Sequence, residues 1–260
     1  MMYVERAVAL PSVTIIIPAY NEESRIKGVL DEISDFISTN NADWDLIVSV
    51  DGYDGTADIV QTYSSIHPFI KLNRGNERGG KGNAIKRVVN KSAGEFTLIA
   101  DADGAVSLQE ILRGFSFCNA YDVILFDRYS IDGNEIPLYR RIPSRGFNML
   151  VRTMLGVNVR DTQCGYKLIR TDFIKKAFSR IGVTNTFFDV ALLYHINKIG
   201  GRIKEIDVKY SHNEESKFNI LPEIIGQGVS LFAFRLRHSR FYKYIPRWAN
   251  ELYLRKFRWI

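Results

Sequence analysis

The chain has only two cysteines, Cys118 and Cys164, in 260 residues. That excludes a disulfide framework and points to a reducing compartment. It has no apolar run near the roughly 20 residues that a membrane span needs. The longest uncharged stretch near the C-terminus, residues 224–234, has 11 residues. No leader-like segment precedes the first apolar run, which Pro11 and Pro18 interrupt. No transmembrane helix is therefore expected. Internal repeats and low-complexity segments are missing too, which excludes solenoids and disordered linkers. With 46% hydrophobic and 25% charged residues, the chain is ordinary for a globular protein and can bury a sizeable core.

Charge is present but unevenly placed. The net charge is +6. Residues 235–260 hold eight Lys/Arg and one acid, a net of +7, and leave the other 234 residues at −1. The same 26 residues hold seven aromatics, well above the chain average of 12%. The protein reads as a near-neutral domain over residues 1–217 followed by a basic, aromatic segment over 218–260.

The first half alternates between two periodicities. Apolar runs at 13–17, 46–50, 69–72, 96–100 and 123–126 predict buried strands. Between them, Ile26, Val29, Leu30, Ile33 and Ile37 recur at helical spacing, as do Ile85, Val88 and Val89. This alternation implies βαβ units, a mostly parallel sheet and helices on both faces. In the second half, residues 128–145 are polar and interrupted by proline, and predict a long loop bearing Arg128, Arg140, Arg141 and Arg145. Residues 147–155, 171–181 and 189–199 predict helices, and 203–208 a strand. Further amphipathic helices are expected toward the C-terminus.

In such sheets ligands sit beyond the carboxyl ends of the strands. Here the strands run into Pro18-Ala19-Tyr20-Asn21-Glu22, Asp51-Gly52, Asp101-Ala102-Asp103-Gly104 and Asp127-Arg128. One aspartate there is an ordinary helix cap. A row of them on one sheet edge points to a nucleotide-type site. Asp101 and Asp103 are two apart, so an extended backbone places both carboxylates on one side. Such a pair repels itself unless a hard divalent cation joins it, and Mg²⁺ takes one or two carboxylates with water and phosphate oxygens.

The run Gly75 to Lys81 fits seven positions of a phosphate-binding P-loop, but Gly82 stands where Ser or Thr must hold the metal. The P-loop reading fails on mechanism. What remains is a basic, glycine-rich loop leading into a helix N-terminus, which favours an anion.

Taken together, these motifs resemble the family 2 glycosyltransferases of GT-A fold. Pro18–Glu22 looks like that family's opening strand end. Val50-Asp51-Gly52 with Asp54-Gly55-Thr56 is similar to its nucleoside-binding turn, one residue shorter than the common form. Asp101-Ala102-Asp103 looks like its metal-binding Asp-x-Asp. Asp161-Thr162-Gln163-Cys164-Gly165-Tyr166-Lys167 narrows the resemblance to dolichyl-phosphate β-glucosyltransferases, as do Phe188-Asp189-Val190-Ala191-Leu192-Leu193 and Ser216-Lys217. Ala191 stands where those enzymes usually have Glu, and Phe126-Asp127 where Gly-Ser is common.

The resemblance implies inverting transfer of a hexose, glucose from UDP-glucose, to a polyprenyl (dolichyl) phosphate for glycan assembly. It assigns Pro18, Ala19, Tyr20, Glu22, Asp51, Gly52, Lys81, Asp101, Ala102 and Lys217 to the nucleotide sugar. Asp101 and Asp103 would hold Mg²⁺ or Mn²⁺. Arg128, Arg141, Arg145 and Gln163 would hold the acceptor phosphate. Asp103 and Asp161 are the candidate catalytic carboxylates, with Asp161 either orienting an arginine or acting as a base. Cys164 reads as packing, and His195 as a core or surface residue.

The tail then has a use. Trp248, Leu252 and Trp259 share one helical stripe with Arg255 beside them, a pattern suited to an anionic membrane surface. A peripheral position on the cytoplasmic face is expected, and no nucleic-acid partner. Two other readings stay open. A glycan hydroxyl acceptor would demand a further essential carboxylate as base. A non-catalytic sugar-nucleotide-binding protein would show no metal-dependent hydrolysis of the donor.

Overall fold

The computed structural model describes residues 10–75, 78–129, 131, 138–182, 185, 187–211, 220–240 and 242–244. Seven strands form one sheet: β1 (Val13–Tyr20), β2 (Trp44–Asp51), β3 (Ile70–Arg74), β4 (Phe96–Ile99), β5 (Val123–Asp127), β6 (Lys167–Arg170) and β7 (Ile203–Asp207). Their order is β3-β2-β1-β4-β6-β5-β7. The pairs β1–β2, β1–β4, β2–β3 and β5–β7 are parallel, and β6 runs antiparallel to both β4 and β5. The expected α/β class and mostly parallel sheet are what the chain forms.

Alternation along the strands divides the core in two. Ile15 and Ile17 of β1 and Leu46 and Val48 of β2 face helices α1 (Ile26–Asn40), α2 (Thr56–Ile66) and α4 (Leu108–Gly114). Ile16 and Ile47 face the other way. There they join α3 (Lys81–Val88), α5 (Leu138–Leu155), α6 (Thr171–Phe178), α7 (Phe188–Lys198) and α8 (Ile220–Arg237). Leu231 and Phe234 of α8 are buried in this second cluster. The apolar stretch at 224–234 therefore packs in part against the sheet domain. No described helix is long and apolar enough to cross a membrane.

Two expectations need correction. Residues 128–145 are not one long loop, because α5 begins at Leu138 and carries Pro143 inside it. Proline removes one helical hydrogen bond and costs stability. Here it falls near the start of an 18-residue helix that is anchored further on by buried Asn148, Val151 and Leu155. The second correction is β6, where sequence periodicity indicates no strand. Its four residues, Lys-Leu-Ile-Arg, are charged at both ends, and the Lys167 side chain is buried.

Candidate active site

The turns after β1 and β2 clasp one another. Thr56 Oγ1 accepts a hydrogen bond from the Glu22 amide at 2.8 Å, and Asn21 Oδ1 from the Tyr53 amide at 3.1 Å. In return the Gly55 amide donates to Glu23 Oε2 at 2.9 Å. Gly52 has φ +115°, and a β-carbon there would meet Asn21 Oδ1 at 2.2 Å. Only glycine fits both demands. The segment Pro18–Glu22 and the Asp51-Gly52 turn thus form one rim at the sheet's carboxyl edge.

Asp51 is buried at the end of β2. Arg87 of α3 lies 2.5 Å from its Oδ1, and the Gly79 amide donates to its Oδ2 at 3.0 Å. The glycine-rich loop is therefore pinned to the rim by the carboxylate expected to hold a nucleoside. The guanidinium of Arg78, in the same loop, stacks 4.3 Å from the Tyr20 ring centroid.

Asp101 and Asp103 follow β4. Lys81, the first residue of α3, places Nζ 2.6 Å from Asp101 Oδ1. Burial works against the Asp101 charge, but Lys81, helped by Lys167 and Arg128, holds the carboxyl below its ordinary range. Asp103 is held above that range by burial and by the neighbouring Asp101 charge. The same two charges act on Glu22, whose carboxyl is raised chiefly by burial and steadied by Arg25 at 2.5 Å. Asp101, Asp103 and Lys81 thus share one recess, and the two carboxylate charges reach as far as Glu22.

The loop 161–166 closes the recess from below. A β-carbon on Gly165 would meet Asp101 Oδ2 at 1.7 Å. The Tyr166 hydroxyl lies 3.3 Å from Asp103 Oδ1 and 3.3 Å from the Asp101 carbonyl. Arg128 grips Asp161 with two nitrogens, at 2.7 and 3.1 Å, and reaches the Gln163 carbonyl at 3.3 Å. Cys164 is buried, and its thiol donates to the Phe126 carbonyl at 2.6 Å. Burial pushes that thiol up to about 12, so it packs and does not react as a thiolate at neutral pH.

Asp101 and Asp103 fit a divalent cation by donor type. Two adjoining carboxylates offer hard oxygens, and Asp103 shows the repulsion such a cation would relieve. Among the described residues no third His, Cys, Asp or Glu completes a protein-only metal cage. This suits a cation whose other positions go to water and phosphate.

The arginines expected at one acceptor site have different surroundings. Arg128 faces Asp161. Arg141 is half-buried on α5, and its Nε is buried without a hydrogen-bond partner. Arg145 is exposed and lines a cavity of about 400 Å³ with Asp127, Tyr129, Met149, Arg152 and Arg160. Lys217 lies outside the described residues, as do most of residues 235–260. His195 is buried on α7. Sequence reading missed Arg87, whose pairing with Asp51 spans 36 residues and leaves no local signal. It also missed the Tyr166 hydroxyl as a partner of Asp103, although that residue lies inside a recognised motif.

Known proteins resemble the chain in sequence and in fold. The family model described as Glycosyl transferase family 2 matches residues 14–178. A dolichyl-phosphate beta-glucosyltransferase of Trichomonas vaginalis is 32% identical over 224 residues, which cover 80% of this chain and 66% of that protein. One from Drosophila melanogaster is 30% identical over 243 residues, covering 86% and 74%. The chain thus spans about two thirds to three quarters of the length of these relatives. Glucosyl-3-phosphoglycerate synthase from Mycobacterium tuberculosis was solved with Mn²⁺, UDP and glucosyl-3-phosphoglycerate. It shares the fold, with a TM-score of 0.67 at 15% identity over 86% of this chain and 80% of that one. The chain belongs to glycosyl transferase family 2 and is a glycosyltransferase of GT-A fold, related along most of its length to the dolichyl-phosphate β-glucosyltransferases.

Proposed function

We propose that the protein transfers glucose from UDP-glucose to a dolichyl-type polyprenyl phosphate, with inversion at the anomeric carbon. The observation that carries this reading is the recess holding Asp101, Asp103 and Lys81 beside the Asp51 rim, in a chain with relatives named dolichyl-phosphate beta-glucosyltransferases. Asp51 and the Pro18–Glu22 turn take the nucleoside. Lys81, with Lys217, neutralises the diphosphate. A divalent cation on Asp101 and Asp103, Mg²⁺ or Mn²⁺, supplies charge stabilisation to the departing nucleotide.

The acceptor is a phosphate monoester, already anionic at neutral pH because its second pKa is about 6. A phosphate oxygen forms the bond to the anomeric carbon as the bond to the UDP oxygen breaks, and the electron pair leaves with UDP. No proton has to be removed from the nucleophile. Asp161, committed to Arg128, therefore serves as an orienting group and not as a base. The acceptor phosphate must sit beside a second anion, which calls for arginine. Arg128, Arg141 and Arg145, with Gln163, are the residues proposed to hold it.

The segment 235–260 is proposed to lie on the anionic cytoplasmic face of a membrane, where each basic residue contributes about 1 kcal/mol. That would bring the enzyme to its lipid acceptor without a membrane span. The sheet domain is proposed to run past residue 217 through α8, because Leu231 and Phe234 are buried in its core.

The deciding experiment offers labelled nucleotide sugars, polyprenyl phosphate and either metal, and scores label that extracts into organic solvent. Label transferred from UDP-glucose is expected. Transfer only to a soluble glycan would favour the hydroxyl-acceptor reading instead. Flotation with anionic vesicles, with and without residues 238–260, tests the tail beyond α8, and unchanged flotation would remove its membrane role.

A further inference from the structure

Lys167 and Asp189 form an ion pair that the proposed chemistry does not use. Lys167 opens β6 and is fully buried, and Asp189 lies in the first turn of α7 with 5% exposure. Lys167 Nζ is 2.6 Å from Asp189 Oδ1 and also donates to the Cys164 carbonyl. A buried ion pair is seldom more stabilising than two apolar side chains of similar volume. Stability alone therefore gives no reason to keep one here, between two apolar clusters.

The contacts of the pair lead to the acidic recess. The Cys164 carbonyl belongs to the peptide that joins Cys164 to Gly165. Lys167 holds that carbonyl while the Cys164 thiol holds the Phe126 carbonyl, so both the peptide and the side chain of Cys164 are anchored. Gly165 is the residue whose missing β-carbon leaves room for Asp101 Oδ2. Tyr166, next in the chain, reaches Asp103 Oδ1 and the Asp101 carbonyl. Every link from Lys167 to the two carboxylates is thus a direct contact or a covalent neighbour. The pair also bears on Lys81: burial opposes its charge, and Asp101 and then Asp189 support it.

We propose that Lys167 and Asp189 are positioning residues that fix the Gly165-Tyr166 floor and so set the spacing of Asp101 and Asp103 for a metal-bound nucleoside diphosphate. The inference rests on the proposed donor site. It predicts that the pair governs affinity for the nucleotide with its metal and leaves affinity for the lipid phosphate alone. Arg128 and Asp161 hold the other end of the same loop independently.

The test is the double substitution Lys167→Met with Asp189→Leu, which removes both charges and keeps the volume. Binding of UDP is measured by calorimetry with and without Mn²⁺, beside thermal melting and the KM for polyprenyl phosphate. The expected result is a melting temperature close to that of the unaltered protein and Mn²⁺-dependent UDP binding weaker by about tenfold, or ~1.4 kcal/mol. The lipid KM should stay within about twofold. UDP binding equal to the unaltered protein's, or an equal loss toward the lipid, would overturn the proposal. If the double variant does not fold, Asp189→Glu keeps the charge, shifts the carboxylate by one methylene and should weaken UDP binding by a smaller factor. Undiminished binding in that folded variant would overturn the proposal as well. If the unaltered protein itself binds no UDP with Mn²⁺, the donor site fails and not the positioning role.

Discussion

Gly165 lies against Asp101 so closely that a β-carbon on the glycine would sit 1.7 Å from the carboxylate oxygen Oδ2. No heavy atoms approach that near without a bond, so the two residues cannot both keep their places if Gly165 gains a side chain. Gly165→Ala should push Asp101 off its present position while leaving the buried strands intact. Mn²⁺-dependent UDP affinity is expected to fall by about tenfold or more, ~1.4 kcal/mol. Calorimetry of the purified variant checks this, and unaltered affinity would mean that Asp101 does not hold the metal.

Asp103 tests the same recess without a steric change. Asp103→Asn keeps the shape and the acceptor from the Ala105 amide but removes the charge. Turnover is expected to fall by at least about a hundredfold, ~2.7 kcal/mol, if the pair places a divalent cation. Near-unaltered turnover would remove the metal role from this residue.

Much of this was legible in the sequence and some was not. The strand ends stand out because apolar runs stop abruptly at aspartates, and that pattern survives without knowledge of any contact. Asp101 and Asp103 are close in sequence, so their proximity follows from backbone geometry. Arg87 with Asp51 and Lys167 with Asp189 are 36 and 22 residues apart, and only the fold brings them together. β6 escaped because Lys167 points a charge inward where the strand pattern calls for an apolar residue. The start of α5 escaped because Pro143 reads as a loop residue when its downstream anchors are unseen.

Arg128 and Asp161 carry a stability prediction. Burial opposes the Arg128 charge, and Asp161 more than restores it. Asp161→Asn would take from the Arg128 guanidinium the carboxylate that two of its nitrogens grip. Breaking such a pair from one side costs about 3–5 kcal/mol. Denaturant unfolding should show a loss of that order, whereas an exposed pair would lose about 1 kcal/mol at most.

Arg145 separates acceptor from donor. It lines a cavity with Arg152 and Arg160, next to Asp127 and Tyr129. Arg145→Ala is expected to raise the KM for polyprenyl phosphate roughly tenfold, the size of one charge-assisted hydrogen bond. The KM for the nucleotide sugar should stay nearly constant. The opposite split would place Arg145 on the donor.

His195 gives a pH dependence whose sign can be worked out. It is buried on α7 and packs its ring among Tyr194, Phe234 and His238. Burial, then the charges of His238 and Arg180, push it down from 6.5 to about 4. Above about pH 6.5 the ring is neutral whether the chain is folded or not, and the contacts around it contribute fully. As the pH falls from 6.5 toward 4 the unfolded chain takes up a proton that the folded chain refuses. Stability is therefore lost across that window. His195→Phe keeps an aromatic ring in the cluster and has no proton to accept. Its melting temperature should fall less steeply between pH 7 and pH 4.5 than that of the unaltered protein. The same measurement on His238→Phe separates the contribution of the second ring. Parallel melting curves for His195→Phe and the unaltered protein across the window would show that another group sets the acid sensitivity.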